Sequence, residues 1–212
     1  MTDETDEADW YRESCARLTS AYLSGDNPRA QSGHSGDQKH WTQARSLIAD
    51  AIDQNGAFLD IGCANGFLLE CLVGWVTAKG HCIDPYGLDF SAELIELARQ
   101  RLPQWRDRLF FGNAIAWDPP RRYDFARTHL EYVPDERRGD LIRRLLERVV
   151  QPGGRLIIGT FNEATTAGQD PSGPRSTEAV VVSWGFKISG RTERPHIREP
   201  NLAYRVLWID NR

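Results

Sequence analysis

The 212-residue sequence contains no apolar run near the roughly 18 residues that a membrane-spanning helix needs, so a helical membrane protein is not expected. Its first residues, MTDETDEADW, are acidic where a secretory signal would be basic and then apolar, which predicts a cytoplasmic protein. Cysteine is scarce. Cys15, Cys63, Cys71 and Cys82 form no CxxC pair and no Cys/His zinc spacing, so reduced thiols and no metal site are expected. Lysine is scarcer still, 3 residues against 23 arginines, and the formal net charge is -4. A broad electropositive face is therefore missing, which disfavours a nucleic-acid partner. What is present, 40% apolar and 26% charged residues, is enough for one ordinary folded core and argues against disorder.

Along the chain, an acidic and mobile stretch of about eight residues precedes Trp10, Cys15, Leu18, Tyr22 and Leu23, which recur near helical spacing. The Gly/Ser/Asn/Pro cluster over 24–37 predicts a loop. Trp41, Ala44, Leu47, Ile48, Ala51 and Ile52 mark an amphipathic helix that Asn55 and Gly56 can end. From there strands and helices alternate. FLDIG (58–62), YGLDF (86–90), LFFGNA (109–114), YDFARTHL (123–130) and RLIIGTF (155–161) read as strands, separated by FLLECLVGWV, by LIELARQRL behind a Ser91 cap, and by a helix over 135–150. That order predicts an α/β fold, a parallel sheet with helices on both faces. Residues 162–176 form either a substrate-facing flap or a mobile connection. A short helix over 177–184 and two strands, KISGRTER and LAYRVLWID, then suit an antiparallel pair at the sheet edge.

The strongest chemical signal is Asp60-Ile61-Gly62-Cys63-Ala64-Asn65-Gly66, where a strand turns into a helix. Gly62 and Gly66 let a ligand sit directly on the loop amides. Their spacing departs from the G-x-G-x-x-G that receives a pyrophosphate, and a carboxylate two residues before Gly62 favours a cation such as an ammonium. Asp89, at the tip of the second strand, can accept hydrogen bonds from both hydroxyls of a ribose. Phe90 offers an apolar face to a base, and the Asn113 amide can bond a base edge.

FLDIGCANGFLLE, GLDFSAELIELARQRL, GNA, YDFARTHLEYVP and QPGGRLIIGTF together resemble, in order, the successive motifs of class I S-adenosylmethionine-dependent methyltransferases, over about residues 41–210. The resemblance implies a Rossmann-like, doubly wound, seven-stranded and mostly parallel sheet with its last pair antiparallel. It also implies S-adenosyl-L-methionine as cofactor. Asp60 and the loop Gly62, Cys63, Ala64, Asn65 and Gly66 would hold the methionine portion, Asp89 the ribose, and Phe90, Asn113 and Ala114 the adenine, with Thr128 also in the cofactor-binding set. Asn113 stands where the family often has aspartate, and Tyr132 where many relatives have histidine. Residues 1–40, an acidic tail, a short helix and a Gly/Ser-rich loop, fall outside the 41–212 methyltransferase domain, and two roles stay open for them, a lid or packing on the core.

A sulfonium makes its methyl group electrophilic by itself, so the protein's main task is to align an acceptor. His129, just past the fourth strand, is the first candidate to stand by the transferred methyl, and His34, with His40 near it, the second. Tyr11, Tyr22 and Trp41 either cover the site or pack the N-terminal helix on the core. The arginine pairs 121–122, 137–138 and 143–144 read as a solvated charged surface. The expected partner is a small-molecule acceptor methylated at O or N. Two rivals stay open: an RNA or protein methyltransferase, separable by an assay against nucleic acid, amines and phenols, and a cofactor-sensing module without turnover.

Overall fold

The structure, a computed structural model, describes residues 4–164 and 176–212. Seven strands form one sheet: β1 (Gly56–Ile61), β2 (Ile83–Asp89), β3 (Leu109–Phe111), β4 (Tyr123–Thr128), β5 (Val150–Ala164), β6 (Gly190–Pro195) and β7 (Leu202–Asp210). Their order is β3-β2-β1-β4-β5-β7-β6. The pairs β1/β2, β1/β4, β2/β3 and β4/β5 are parallel, whereas β7 runs antiparallel to both β5 and β6. The last pair is thus antiparallel as expected, but β7 lies between β5 and β6 and β6 forms the edge. The strand order reverses between β1 and β4, which opens a crevice beyond their carboxyl ends.

Helices cover the sheet: α1 (Glu4–Leu23), α2 (Gln38–Arg45), α3 (Phe67–Thr77), α4 (Ala92–Arg101), α5 (Arg138–Arg144) and α6 (Thr177–Ser183). Both faces of the sheet are buried. Phe58 of β1 packs with Trp41, Leu69, Leu72, Ile95 and Phe125, while Leu59 and Ile61 pack with Leu141, Ile142, Leu145 and Ile158 on the other side. Side chains alternate along β1, so Asp60 falls on the Phe58 face.

Several boundaries differ from the sequence reading. α1 begins at Glu4 rather than near Trp10, because acidic side chains are welcome in a first helical turn, where the backbone amides leave partial positive charge. α2 stops at Arg45 and gives way to a tighter turn over Ser46–Ala51, and Gly56 opens β1 rather than closing a helix. β2 starts at Ile83, three residues earlier than read. The predicted 135–150 helix is regular only over α5, continues as a wide turn over Leu145–Val149, and yields to β5 at Val150. Pro152, Gly153 and Gly154 lie where the β4/β5 register shifts, with Gly153 at φ +80°. Ser91 caps α4 as read, its hydroxyl accepting from the Leu94 amide at 3.2 Å. Of the predicted 162–176 loop, residues 162–164 continue β5 and 165–175 lie outside the described residues. No described helix is long and apolar enough to cross a membrane.

Candidate functional site

Register sets the deepest part of the site. Phe58 and Phe125 are partners across β1 and β4, and two residues further along the same face Asp60 is partnered with Arg127. The apolar ladder thus ends in a buried ion pair: Arg127 Nη1 donates to Asp60 Oδ1 at 2.8 Å, with neither side chain more than 4% exposed. Asp60 Oδ2 is buried without a hydrogen-bond partner among the described residues. Burial lifts the Asp60 carboxyl above its ordinary value, and Arg127 pulls it back.

The glycine loop follows. Gly62 and Gly66 have φ +75° and +76°, and Ala64 at +47° is the one non-glycine residue with positive φ among those described. The Gly62 and Cys63 amides donate to the Leu88 carbonyl at 2.8 and 3.1 Å, and the Ala64 amide to Asp89 Oδ2 at 2.8 Å. Asp89 Oδ1 accepts from the Ser91 amide at 2.9 Å. Asp89 therefore braces the loop as well as facing the crevice. Burial raises its carboxyl to about 6, against the pull of the Ser91 and Ala64 amides.

These groups line one cavity of about 250 Å³, together with Phe90, Asn113 and Ala114, and with Arg45, Arg127, His129 and Tyr132. Tyr11, Leu18 and Tyr22 of α1 also line it, and Thr19 ties α1 to α4 through a 2.8 Å bond to the Ser91 hydroxyl. Among the predicted cofactor residues, Asp60, Gly62, Cys63, Ala64, Asp89, Phe90, Asn113 and Ala114 line the cavity. Asn65, Gly66 and Thr128 do not. The Asn65 amide donates instead to the Pro28 carbonyl at 2.8 Å and clamps the 24–37 loop onto the glycine loop. Gly66 is the turn into α3, and the Thr128 hydroxyl, fully buried, bonds the His129 carbonyl at 3.3 Å.

His129 lines the cavity with both ring nitrogens engaged. Arg127 Nη2, which can only donate, meets Nε2, so Nδ1 carries the proton and donates to the Gly159 carbonyl at 2.6 Å. Burial and Arg127 hold its imidazole well below the ordinary value, so the ring is neutral and its lone pair is directed at a guanidinium. His34 is not on the cavity wall. Its ring packs on His40 at 4.6 Å and Trp41 at 5.4 Å, and burial, with Arg45 and His40 adding to it, lowers its imidazole to about 4. Trp41 does line the cavity, in the core as well as at the site.

Sequence reading missed Arg45 and Arg127. Arg45 is one helical turn after Trp41, its guanidinium 5.3 Å from that ring, and burial with nearby Arg127 lowers it to about 9. The available signals were an arginine on the Trp41 face of an amphipathic helix and one of the same parity as Phe125 in a strand. No group of three or more His, Cys, Asp or Glu side chains among the described residues is arranged to hold a metal ion.

A family model described as "Methyltransferase domain" matches residues 34–199. Trans-aconitate 2-methyltransferase of Rhodopseudomonas palustris (strain BisB5) is 34% identical over 170 residues, 77% of this chain and 61% of that protein. The Azoarcus sp. (strain BH72) protein of the same name is 35% identical over 121 residues, 54% of this chain and 43% of its own. The chain spans about half the length of the curated relatives it matches. Among solved structures, the Burkholderia thailandensis 1,6-didemethyltoxoflavin-N1-methyltransferase, bound to 1,6-didemethyltoxoflavin and S-adenosylhomocysteine, has the same fold at TM-score 0.67 and 15% identity, over 96% of this chain and 89% of that one.

Proposed function

The chain belongs to the class I S-adenosylmethionine-dependent methyltransferase family, and from that premise we propose that it transfers the cofactor's methyl group to an oxygen or nitrogen of a small molecule. One observation carries the cofactor placement: two buried carboxylates, Asp60 and Asp89, stand at separate points of a single cavity at the strand-order reversal, with a glycine turn between them. The unpartnered Asp60 Oδ2 suits an ammonium, and the half-buried Arg45 on the cavity wall suits the carboxylate of the same amino-acid moiety. Asp89 then takes the ribose, and Phe90, Asn113 and Ala114 the adenine. When bound, the cofactor supplies an electrophilic methyl group. The protein's residues exclude water and hold the acceptor in line, an effect that can reach roughly 7–11 kcal/mol.

A small acceptor is favoured by the cavity's volume of about 250 Å³ and by the α1 side chains Tyr11, Leu18 and Tyr22 on its wall. The relatives named above point the same way, each named for a small-molecule substrate. The test is transfer of labelled methyl from S-adenosylmethionine to panels of small carboxylic acids, phenols and amines, with RNA and protein alongside. Turnover only on RNA or protein would overturn the small-molecule reading, and cofactor binding with no turnover on any panel would favour a sensing role.

Within this reading residues 1–40 form a cover over the 41–212 domain. Deleting residues 1–30 removes three cavity-lining side chains and the Pro28 carbonyl that Asn65 holds, while the core residues from Trp41 onward remain. Methyl transfer should fall at least tenfold, while the far-ultraviolet circular dichroism keeps a cooperative thermal transition. A truncated chain of full activity would remove the cover.

His129, with its lone pair directed at Arg127, is assigned a positioning role rather than that of a base. His129→Gln should retain turnover within about tenfold and leave the pH profile of kcat unchanged, since loss of a general base costs about 10²- to 10⁴-fold. A hundredfold loss with a vanished acid limb would return the base to His129.

A further inference from the structure

We propose that Arg127 is a positioning residue for the amino-acid end of the cofactor: it holds the Asp60 carboxylate in one orientation, with a single oxygen left for the ligand's ammonium. This deepens the function proposed above and rests on it. A buried ion pair is seldom a net source of stability compared with an apolar pair of similar size, and the Phe58/Phe125 pair on the same face shows that an apolar pair fits this ladder. The pair therefore calls for an explanation other than stability.

The geometry supplies one. The guanidinium is fixed at two points, through Nη1 to Asp60 Oδ1 and through Nη2 to His129 Nε2, and His129 is in turn anchored on the Gly159 carbonyl of β5. The Tyr132 hydroxyl lies 3.5 Å from Nη1 and closes the cluster on the side of the glycine loop. A planar fork held at both prongs cannot swing, so the carboxylate it grips cannot turn either. Oδ1 is thereby occupied, and Oδ2 is left buried, without a described partner, in a residue that lines the cavity. Without the arginine, a carboxylate this deeply buried would take up a proton, and a neutral acid holds an ammonium poorly.

A role in stability alone would weaken every ligand of the cavity alike, whereas the proposed role touches only the amino-acid moiety. S-adenosylhomocysteine carries that moiety, and 5′-methylthioadenosine has the same nucleoside and thioether without it. Calorimetric titration of the full chain with both ligands separates the two cases. In Arg127→Met, affinity for S-adenosylhomocysteine should fall roughly 30-fold or more, the range of one charge-assisted hydrogen bond, while that for 5′-methylthioadenosine stays within about threefold. Asp60→Asn should show the same selectivity. Arg127→Lys keeps a charge but cannot hold Asp60 and His129 together, so an intermediate selective loss of about fivefold is expected. It carries the test if the methionine variant does not fold. Equal losses for both ligands, or no loss for either, would overturn the positioning role. A wild-type chain that binds neither ligand would overturn the cofactor reading itself, and this proposal with it.

Discussion

Asp89→Ala should lower the affinity for S-adenosylhomocysteine by roughly 100-fold or more in a calorimetric titration. Two ribose hydroxyls donating to one ionised carboxylate contribute on the order of 1.5–3 kcal/mol each, so losing both removes at least two decades. The variant also strips the acceptor from the Ala64 amide, whose residue is held at φ +47° by that bond. The pH dependence follows from the same burial. With its carboxyl raised to about 6, Asp89 is protonated in the ligand-free protein below that pH, and the ribose must displace the proton. Affinity should therefore weaken about tenfold from pH 7 to pH 5. Folding stability responds to this group with the opposite sign. Between the unfolded value of 3.8 and about 6 the folded state binds more protons, so the Asp89 contribution to stability is complete below that window and is lost as pH rises through it. Asp89→Asn, which keeps the shape but cannot titrate, should flatten the affinity profile. A variant profile as steep as that of the wild type would assign the titration elsewhere.

The second large effect is on the glycine turn. At Gly62 a methyl group faces two obstacles, a φ of +75° that L side chains rarely adopt and the ring of Tyr132 lying against the α-carbon. Tyr132 is partly buried with its hydroxyl 3.5 Å from Arg127 Nη1, so a shift of its ring disturbs the Asp60 cluster. Gly62→Ala should cost about 2–3 kcal/mol, a melting temperature lower by roughly 4–12 °C for a chain of this size, and more than tenfold in cofactor affinity. Gly74 in α3 is the control. A Cβ there meets nothing within 4 Å and the residue is helical, so Gly74→Ala should raise stability by about 0.5–1 kcal/mol and leave affinity unchanged. A Gly62→Ala protein that melts with the wild type and binds the cofactor equally well would show that the turn tolerates a side chain.

Much of this was legible in the residues in order. The strand cores, the Ser91 cap and the final strand over LAYRVLWID follow from local periodicity and capping chemistry. Asp60 and Asp89 were legible because each stands at or one residue before the end of a strand that leads into a turn, where side chains of parallel sheets reach ligands. Boundaries were less legible. The 135–150 helix loses regular form near Leu145 because its end must meet β5 at Val150, a demand made by the sheet. Asn65 has the right place in the chain to face the cavity, yet it turns to Pro28, 37 residues back.

Local pattern alone determined the α/β alternation, the glycine turn and the two carboxylates, because each depends on residues a few positions apart. Only the tertiary structure decided what His129 and Arg127 touch. Residues 60 and 127 meet through strand register across 67 positions, and a side chain's protonation and freedom are set by the partners that burial forces on it.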